Sequence, residues 1–531
     1  MISNQSFHVP AVTDRISITL RAYAKPKISD PKKNTQPALG GPNRKSSTLP
    51  ASPWVIVFDT ETTTDPGQAL RFGSYQVRKH GELIEAGIFY DPAALSANER
   101  DTLFQHAQAN NLNFITRDEF SDRVFYGIGY EYRARFVGFN LPFDISRIAI
   151  RHNSARGEMR TGFSFTLVDD RRKPHLRVKH NSHKFAFISF AAPMKQLDNR
   201  SDRRRKRKNP VRRGHFIDLK TLAGALFARS FSLVSLSEFL KVQNRKTEFE
   251  DFDGPVTEEM VAYAVQDVQA TWDSYVELIQ RYEQLGIPNV PPEKIYSEAS
   301  IGKAYLKAMG IVPWQKCQPE FPDQMIANIM SSYFGGRSEI RIRRELREVM
   351  LCDFLSMYPT VCTLMGLWKF HIAQGMSWTD STTQTGDWMA SVELADLKAP
   401  QKWRELTTLV RVNAKEDIFP VRASYADADQ TTIAANYLTS DIGLWFTLAD
   451  CVATKLLTGK SPEILEAVTF MAKEPQSGLK PVNIRGKTDY AVDPTKDDFF
   501  KKSIELRHWP KRNAMHLKVW AGKFWIRNKT H

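Results

Sequence analysis

The sequence predicts a protein of the α/β (α+β) class. First, short apolar runs of strand length alternate with helical patterns of ten or more residues from Trp54 onward. Second, 42% of the 531 residues are hydrophobic and 25% are charged, which suits about two to four packed domains. Third, the longest apolar stretches span a few residues, far fewer than the roughly 20 that cross a bilayer. We therefore expect packed domains without a membrane-spanning segment and without a membrane partner.

The first part of the chain divides into a leader and the start of a sheet. Residues 1–53 are predicted to form a flexible basic leader, because residues 25–53 are rich in Pro, Lys, Ser, Asn and Gly and lack a hydrophobic period. Apolar and alternating runs then predict three strands, at residues 54–58, 73–77 and 83–89. A helical pattern follows at residues 98–108. This order predicts a β-meander at one side of the sheet.

The alternation continues to a predicted boundary. Residues 136–139 are predicted to form a buried strand that runs into a helix with Pro142 in its first turn. A long helix is predicted to end at the Gly and Pro residues of segment 286–292, which divides the chain into domains at residues 54–287 and 293–531. Within the second, mixed domain the patterns predict a helix and then a strand, at residues 298–309 and 346–352.

The net charge of +15 is concentrated in two segments. Residues 1–50 carry +6 and residues 200–213 carry +8, so the rest of the chain is close to neutral. Such runs suit a phosphate backbone. A solvated loop without a fixed ligand is the alternative for both segments.

Cysteine usage and the amino terminus indicate the compartment. The four cysteines form no CxxC pair, which argues against a zinc site or a disulfide framework and fits a reducing compartment. Residues 1–10 lack a basic segment followed by an apolar core, so no secretory signal is expected. We therefore expect an intracellular, cytoplasmic protein.

Asp59 and Glu61 form the first chemical signal, at the end of the first predicted strand. Residues two apart in a strand project from the same face, so the two carboxylates point together. A divalent magnesium or manganese ion relieves their repulsion, because such hard cations take carboxylate oxygens. For this pair taken alone, an exposed turn is the competing interpretation.

Asp144 and Asp267 form the second and third signals. Asp144 lies in the first turn of the helix after the 136–139 strand, where the helix dipole by itself also favours an acidic residue. Asp267 follows Tyr263 by four residues in a long helix predicted to begin near Thr257, so the two side chains share one helical face. The structural alternative for this pair is a core-facing tyrosine beside an exposed aspartate.

Together these segments resemble the exonuclease motifs of the DEDD class with tyrosine in the third motif, as found in the proofreading domain of family B DNA polymerases. The short Asn-x-x-Phe-Asp form at residues 140–144 is similar to the protein-primed branch. The resemblance implies a ribonuclease H-like first domain that uses two Mg²⁺ or Mn²⁺ ions. By this resemblance Asp59, Glu61 and Asp267 would hold the ion that carries the attacking water. Asp144 would help to place the second ion, and Tyr263 would orient the nucleophile.

The same resemblance implies residues that hold the frayed 3′ end of single-stranded DNA. Matching positions are Thr62, Asn140, Phe143, Thr221, Leu222 and Lys246. Phe143 could stack on a base or wedge beside one. Lys246 would stabilise phosphate charge if it reaches the site, and it is otherwise a solvated surface lysine. The basic run at residues 200–213 lies between the second and third motifs, where a loop could track the strand.

Residues 351–359 resemble motif A of family B polymerases, in which a palm strand delivers an aspartate to the nucleotide metals. Asp353 would be that metal ligand. Ser356 would meet the triphosphate, and Tyr358 would lie beneath the incoming sugar. Segment 333–336 resembles the YxGG element, which in this family helps to pass the primer strand between the two sites; a turn before a basic strand is the alternative.

The resemblance leaves the palm incomplete. No fingers motif is recognisable, and segment 425–429, which imitates the second palm aspartate pair, is expected to be a surface turn. Asp353 alone should not suffice for nucleotide transfer, which needs at least two palm carboxylates. A fragment, a split subunit and a truncated reading frame all stay open as explanations.

The sequence therefore predicts the amino-terminal part of a family B DNA polymerase that acts as a two-metal 3′–5′ exonuclease on DNA. Expected partners are a single-stranded 3′ end or a primer-template, deoxynucleotides if the palm is completed, and a terminal protein or a second polymerase subunit. Two alternatives stay open. One is a non-catalytic DNA-binding or assembly subunit of a split polymerase, and the other is a ribonuclease H-like integrase or RNase.

Overall fold

The computed structural model is a mixed α/β structure that describes residues 16–23, 52–182, 185–191, 215–244, 249, 251–336, 342, 345–350, 352, 354, 356–424 and 431–508. Five features predicted from the sequence lie wholly or mostly outside these residues. They are the leader at residues 1–53, Lys246, Asp353, the basic run at residues 200–213 and the segment at residues 425–429.

Helices occur throughout the described residues. They are α1 (Ala97–Ala109), α2 (Arg117–Glu119), α3 (Leu141–Arg147), α4 (Leu219–Phe227), α5 (Leu233–Leu240), α6 (Glu258–Glu283), α7 (Glu298–Ala308), α8 (Trp314–Cys317), α9 (Asp323–Ser331), α10 (Met357–Leu364), α11 (Trp368–Ile372), α12 (Thr382–Ser391), α13 (Leu448–Thr458) and α14 (Phe499–His508). A π-helix, Phe120–Tyr130, follows α2 directly.

Strands alternate with these helices. They are β1 (Trp54–Thr62), β2 (Leu70–Lys79), β3 (Glu82–Tyr90), β4 (Asn113–Thr116), β5 (Arg135–Gly138), β6 (Arg151–Ser154), β7 (Phe163–Thr166), β8 (Leu176–Ser182), β9 (Phe185–Phe190), β10 (His215–Asp218), β11 (Met376–Asp380), β12 (Thr408–Asn413), β13 (Lys415–Ala423), β14 (Thr432–Thr439), β15 (Leu444–Thr447), β16 (Glu463–Ala472), β17 (Val482–Asn483) and β18 (Ala491–Val492).

A six-stranded mixed sheet organises the first half of the chain, in the order β10-β5-β1-β2-β3-β4. The meander β1-β2-β3 is antiparallel, whereas β5 runs parallel to β1 and β10 runs parallel to β5. The carboxyl ends of β1, β5 and β10 therefore lie at one edge of the sheet. Helix α6 packs across β1, β2 and β5. This arrangement brings the residues that follow three separated strands close to one face of a long helix.

Strand β1 is buried on both faces, because its apolar residues alternate between two cores. Ile56 and Phe58 pack on one side of the sheet with Phe120 of the π-helix. Val55 and Val57 pack on the other side, in the core that includes α4 and α6. The strand continues from the predicted 54–58 to Thr62. Its polar end is thus held rigidly between two packed layers.

A smaller antiparallel sheet, β6-β7-β8-β9, lies in the chain between α3 and β10. Its strands pair with their sequence neighbours in a simple meander. Phe165, Leu176 and Val178 bury one part of this sheet against the core that includes Ile145 of α3. His152, Phe163 and His180 of this sheet lie beside α3.

The second half of the chain has sheets and a core of its own. Strands β11-β16-β12-β15 form an antiparallel sheet, and β13 pairs with β14. The strand predicted at residues 346–352 is wrong for the described part of that segment, which forms no strand. Leu346 and Met350 are almost fully exposed there. An apolar run forms a strand only where a neighbouring strand satisfies its backbone hydrogen bonds, and none does so for these described residues.

Residues late in the chain return to pack on helices of the first half. Val482, Ile484, Val492 and Phe499 belong to the same apolar core as Leu278 of α6 and Tyr305 of α7. The Tyr305 hydroxyl donates to the carbonyl of Leu285 and accepts from the backbone N–H of Arg485 (3.1 Å). This core contains residues from both sides of the predicted boundary at residues 287–293.

Two glycines permit this return. Gly286 and Gly486 both have positive φ, at 62° and 64°. A Cβ atom at Gly286 would lie 2.6 Å from the backbone nitrogen of Gly486, closer than any side chain allows. The two backbones therefore meet where only glycine fits.

Among the described residues, no helix combines the length and the apolar character that a membrane span requires.

Candidate metal centre

Three carboxylates meet at the carboxyl end of β1. Asp59 and Glu61 lie on this strand, and Asp267 lies on the face of α6 that covers it. One oxygen from each of the three can be chosen so that all lie within 4.8 Å of one another. Glu61 and Asp267 are buried, and Asp59 is half-buried. Residues separated by more than 200 positions thus converge in one buried acidic cluster.

Asp144 flanks this cluster from the first turn of α3 and is 2% exposed. Its Oδ1 accepts a hydrogen bond from the Thr60 hydroxyl (2.8 Å), while its buried Oδ2 has no hydrogen-bond partner among the described residues. Burial, and then the charge of Asp59, raise the pKa of the Asp144 carboxyl well above its usual value. We call Asp59, Glu61, Asp144 and Asp267 the carboxylate centre.

The carboxylate centre fits a divalent cation. Its donors are oxygens only, which suits Mg²⁺ or Mn²⁺ rather than a soft metal. Several carboxylates buried together repel one another, and a cation between them would offset both this repulsion and the cost of burial. The buried Oδ2 of Asp144 is an additional acceptor that such an ion, or water bound to it, could satisfy.

Tyr263 lies one turn before Asp267 on α6 and is 8% exposed. Its ring centroid lies 5.5 Å from that of Phe249 and 5.7 Å from that of Phe252. These two rings precede α6 in the chain and pack as a small aromatic group with Tyr263. The tyrosine predicted to orient the nucleophile is therefore fixed by packing on the same helix as a member of the carboxylate centre.

Asp218 is a half-buried carboxylate that the motif resemblance does not select. It ends β10, and its oxygens accept hydrogen bonds from the backbone N–H of Asn140 (2.9 Å) and the hydroxyl of Thr221 (2.9 Å). Burial raises the pKa of its carboxyl, although these hydrogen bonds oppose that effect. Asp218 therefore ties the turn before α3 to the start of α4. Its role depends on the pairing of β10 with β5, which no signal in the sequence indicates.

The candidate DNA-binding residues occupy different environments. Thr62 ends β1 and is half-buried, and Asn140 adopts the left-handed conformation (φ 74°, ψ 41°) just before α3. Phe143 is half-buried on α3, and its ring lies against the guanidinium of Arg147 (4.6 Å). Thr221 is engaged by Asp218, and Leu222 is 2% exposed in the core beneath α4. The structure therefore brings Asn140 and Phe143 next to Asp144, while Leu222 serves mainly as packing.

The palm-like segment (residues 345–358, as far as they are described) is built differently. Ser356 is buried in the left-handed conformation (φ 56°) before α10, and Tyr358 is 68% exposed. Phe354 is 79% exposed. Within the described part of the chain, the group formed by Asp59, Glu61 and Asp267 is the only cluster of metal-ligating side chains found.

The YxGG-like segment lies near strand β13. Tyr333 is exposed and lies under the guanidinium of Arg21 (4.2 Å), whereas Phe334 is buried. Arg422 of β13 donates hydrogen bonds to the carbonyls of both residues (3.3 and 2.8 Å). These contacts attach the segment to the second half of the chain, where it follows α9.

Comparisons with known proteins found a distant structural similarity. No protein-family model matches it, and no curated protein matches it. A solved structure of phi29 DNA polymerase complexed with single-stranded DNA is similar at a TM-score of 0.38 and 14% sequence identity. That similarity covers 86% of this chain and 64% of the other chain, so this chain spans less than two thirds of its length. Likeness at this level carries no functional argument.

Proposed function

We propose that this chain is a metal-dependent 3′–5′ exonuclease that acts on DNA, built as the amino-terminal part of a family B DNA polymerase. The observation that carries the proposal is the meeting of Asp59, Glu61 and Asp267, with Asp144 beside them. These four residues are the ones that the motif resemblance selects before any geometry is known. A mixed sheet with three parallel strand ends at one edge agrees with the ribonuclease H-like fold that the resemblance implies.

The roles of the residues follow from their positions. Asp59, Glu61 and Asp267 would hold one divalent ion, and Asp144 would help to hold a second. When bound, the two ions supply an activated water and relieve the negative charge of the scissile phosphate. Thr60 fixes the orientation of Asp144 through its hydroxyl. Tyr263 would orient the water for attack on the phosphorus, with the 3′ oxygen of the preceding nucleotide as the leaving group.

The proposal is tested by digesting a 5′-labelled single-stranded oligodeoxynucleotide with Mg²⁺ or Mn²⁺. The expected product pattern is a ladder that shortens from the 3′ end and disappears with EDTA. The isosteric double variant Asp59→Asn with Glu61→Gln should stop digestion, because it removes two anionic ligands without changing side-chain volume. A matched control is Glu82→Gln with Asp101→Asn, which neutralises two exposed carboxylates away from the centre. Digestion by the Asp59/Glu61 variant at the rate of this control would refute the assigned site.

The alternative functions give different outcomes in the same assay. A ribonuclease would shorten a matched RNA strand faster than the DNA strand. A non-catalytic subunit would bind the oligonucleotide without cleaving it under any metal. A 3′-terminal block that prevents digestion would establish the direction of hydrolysis, whereas internal cuts in the blocked strand would indicate an endonuclease.

The polymerase part of the proposal rests on the resemblance of residues 351–359 and 333–336 alone. Its partners would be a primer-template and deoxynucleotides, with a terminal protein or a second subunit as a further candidate. A primer-extension assay on the chain alone should show no synthesis, because one palm aspartate cannot hold both nucleotide metals. Extension by the purified chain would show that the missing carboxylates are present.

A further inference from the structure

A groove of about 420 Å³ lies between α3 and one face of the β6–β9 sheet, and we call it the α3 groove. Its volume falls in the range of small-molecule sites, about 300–1,000 Å³. One wall is formed by Phe143 and Arg147 of α3. The opposite wall carries His152, Phe163 and His180. The α3 groove is therefore lined by aromatic and basic side chains from two separate elements.

The strand register explains why these side chains share one wall. His152 of β6 is paired with Phe165 of β7, and Phe163 is paired with Val178 of β8. Paired residues project from the same face, as do residues two apart on one strand, so His180 joins the same face. Phe165 and Val178 are buried and form the floor, while Phe163 is 46% exposed. An aromatic ring thus stands at the rim above an apolar floor.

The helical wall is held in place by hydrogen bonds. Arg147 follows Phe143 by four residues, and its guanidinium lies 4.6 Å from the centre of the Phe143 ring. The same guanidinium donates to the carbonyls of Gly67 (3.0 Å) and Gln68 (2.9 Å) in the loop between β1 and β2. This loop therefore fixes the cation, and the cation fixes the ring beside it. These contacts hold the wall in place before any ligand arrives, which reduces the cost of ordering on binding.

The side chains that line the α3 groove indicate which class of ligand it binds. No carboxylate lines it. Its charged and polar groups are a guanidinium, two imidazoles, a hydroxyl and an amide, which suit a phosphodiester backbone. Its rings suit the flat faces of unpaired bases, which stack without regard to sequence. Helix α3 joins the groove directly to the carboxylate centre, because Asp144 directly follows Phe143.

We propose that the α3 groove binds the unpaired bases just upstream of the 3′-terminal nucleotide, with Phe163 as their stacking platform. This inference rests on the proposed function, because it assumes that the 3′ end of the DNA strand is bound at the carboxylate centre. Phe163 is then a specificity-determining residue for single-stranded over duplex ends, because a base inside a duplex already has both faces stacked on its neighbours. The terminal nucleotide is held at the centre, and the groove orders the strand that leads to it.

The test measures binding without hydrolysis. A 5′-fluorescein oligodeoxynucleotide is titrated in EDTA with the full chain carrying Asp59→Asn and Glu61→Gln, and anisotropy gives the dissociation constant. Adding Phe163→Ala should weaken binding by about tenfold, the loss of one stacked base. Adding Phe163→Trp should restore it, because the larger ring still stacks. The matched control is Phe104→Ala on α1, which is 44% exposed and lies away from the groove.

An abasic strand distinguishes stacking from a general effect on the fold. Strands with one abasic nucleotide at the second, third or fourth position from the 3′ end are compared. When the abasic nucleotide is the one that the groove binds, Phe163→Ala should not weaken binding further, because the base that Phe163 would stack on is absent. A full tenfold loss on every abasic strand would overturn the proposal. Equal affinity of the Phe163→Ala and Phe104→Ala variants would also overturn it.

These outcomes are separable from failure of the proposed function. If the parent chain digests DNA but the Phe163→Ala variant binds DNA as tightly as its control, the proposed exonuclease activity is supported. The proposal that the α3 groove binds the single strand is then wrong. If the parent chain binds single strands through Phe163 yet never digests them, the groove stands and the hydrolytic role fails. If the parent chain binds no single strand at all, both proposals fall.

Discussion

The carboxylate centre and the palm-like segment carry similar sequence signals but are supported by different structures. The centre is carried by the end of a strand paired on both sides, by the first turn of α3 and by the middle of α6. In the palm-like segment, the described residues before α10 form no strand, and Tyr358 and Phe354 are exposed. The carboxylates of the centre lie close together because paired strands and packed helices carry them to one place. The described residues of the palm-like segment before α10 have no such strand pairing.

The largest expected effect contrasts the two regions directly. Asp267→Asn should lower the rate of DNA hydrolysis by about 1,000-fold or more, because it removes a buried anionic ligand from the cluster. Tyr358→Phe in the palm-like segment should leave that rate unchanged, because the ring is exposed and Tyr358 is not a member of the carboxylate centre. Timed digestion of a single-stranded oligonucleotide measures both variants. If both variants lost the same fraction of the hydrolysis rate, the carboxylate centre could not be distinguished from the palm-like segment as the site of hydrolysis.

A second prediction tests whether the centre depends on its supporting hydrogen bonds. Asp218→Ala should lower hydrolysis about 10- to 100-fold, because the turn before α3 loses its anchor at the Asn140 N–H. Asp218→Asn keeps an acceptor oxygen and should recover most of the rate. Digestion assays and thermal unfolding are run on both variants. A parental rate in the alanine variant would mean that the turn is held by other contacts.

A third prediction concerns the attachment of α6. Glu99 of α1 binds Arg71 of β2 (2.8 Å) and accepts from the backbone N–H of Val256, just before α6. Burial alone would raise the pKa of Glu99, but hydrogen bonds from Ser96, Arg71 and Val256 outweigh it and lower the pKa to about 2. Glu99→Gln should therefore reduce the free energy of unfolding by about 2 kcal/mol at pH 7.

The sign of the pH dependence follows from that lowered pKa. The folded pKa lies below the ordinary glutamate value of about 4.3, so the carboxylate stabilises the fold above that pH. The stabilisation is lost as the pH falls from about 4.3 towards 2. The difference between parent and Glu99→Gln in denaturant unfolding should shrink over the same interval. Asp101→Asn on the same helix is the control, and a pH-independent difference would contradict the assignment.

The smallest expected effect concerns the hydroxyl that supports one member of the carboxylate centre. Thr60→Val removes the hydroxyl that donates to Asp144 and should lower hydrolysis about tenfold, mainly by raising the metal concentration required. Thr60→Ser keeps the donor and should behave nearly as the parent. Rates measured over a range of Mg²⁺ concentrations distinguish a metal effect from a loss of folded protein. An unchanged metal requirement in the valine variant would show that Asp144 is oriented without Thr60.

The sequence predicted the parts of the molecule that strong periodic patterns encode. The helix predicted at residues 98–108 forms as α1, and α6 begins at Glu258, directly after the predicted Thr257. The carboxylates could be selected because each follows or lies within such an element. Residues 346–352 were mispredicted, because an apolar run does not reveal whether a partner strand exists.

Other features of the site depend on information that no single segment contains. The α3 groove is formed by strands of four to seven residues whose register decides which side chains share a face. Asp218 precedes Thr221 and Leu222, the residues that the motif resemblance selects there. Its role emerges only when β10 pairs beside β5 and brings it to Asn140. Position along the chain could not indicate that pairing.

The late return of Val482 to Phe499 onto α6 and α7 has a consequence for how the protein is made. At a ribosome, about 190 residues are added between Tyr305 and Phe499, which takes about 10 to 40 s at 5–20 residues per second. Throughout that interval the apolar surfaces of both helices lack their final cover. Closing so long a loop is also slow, because its entropy is lost before the contacts form. We therefore expect nascent chains to engage a chaperone over this interval and this core to close only after Phe499 has been added.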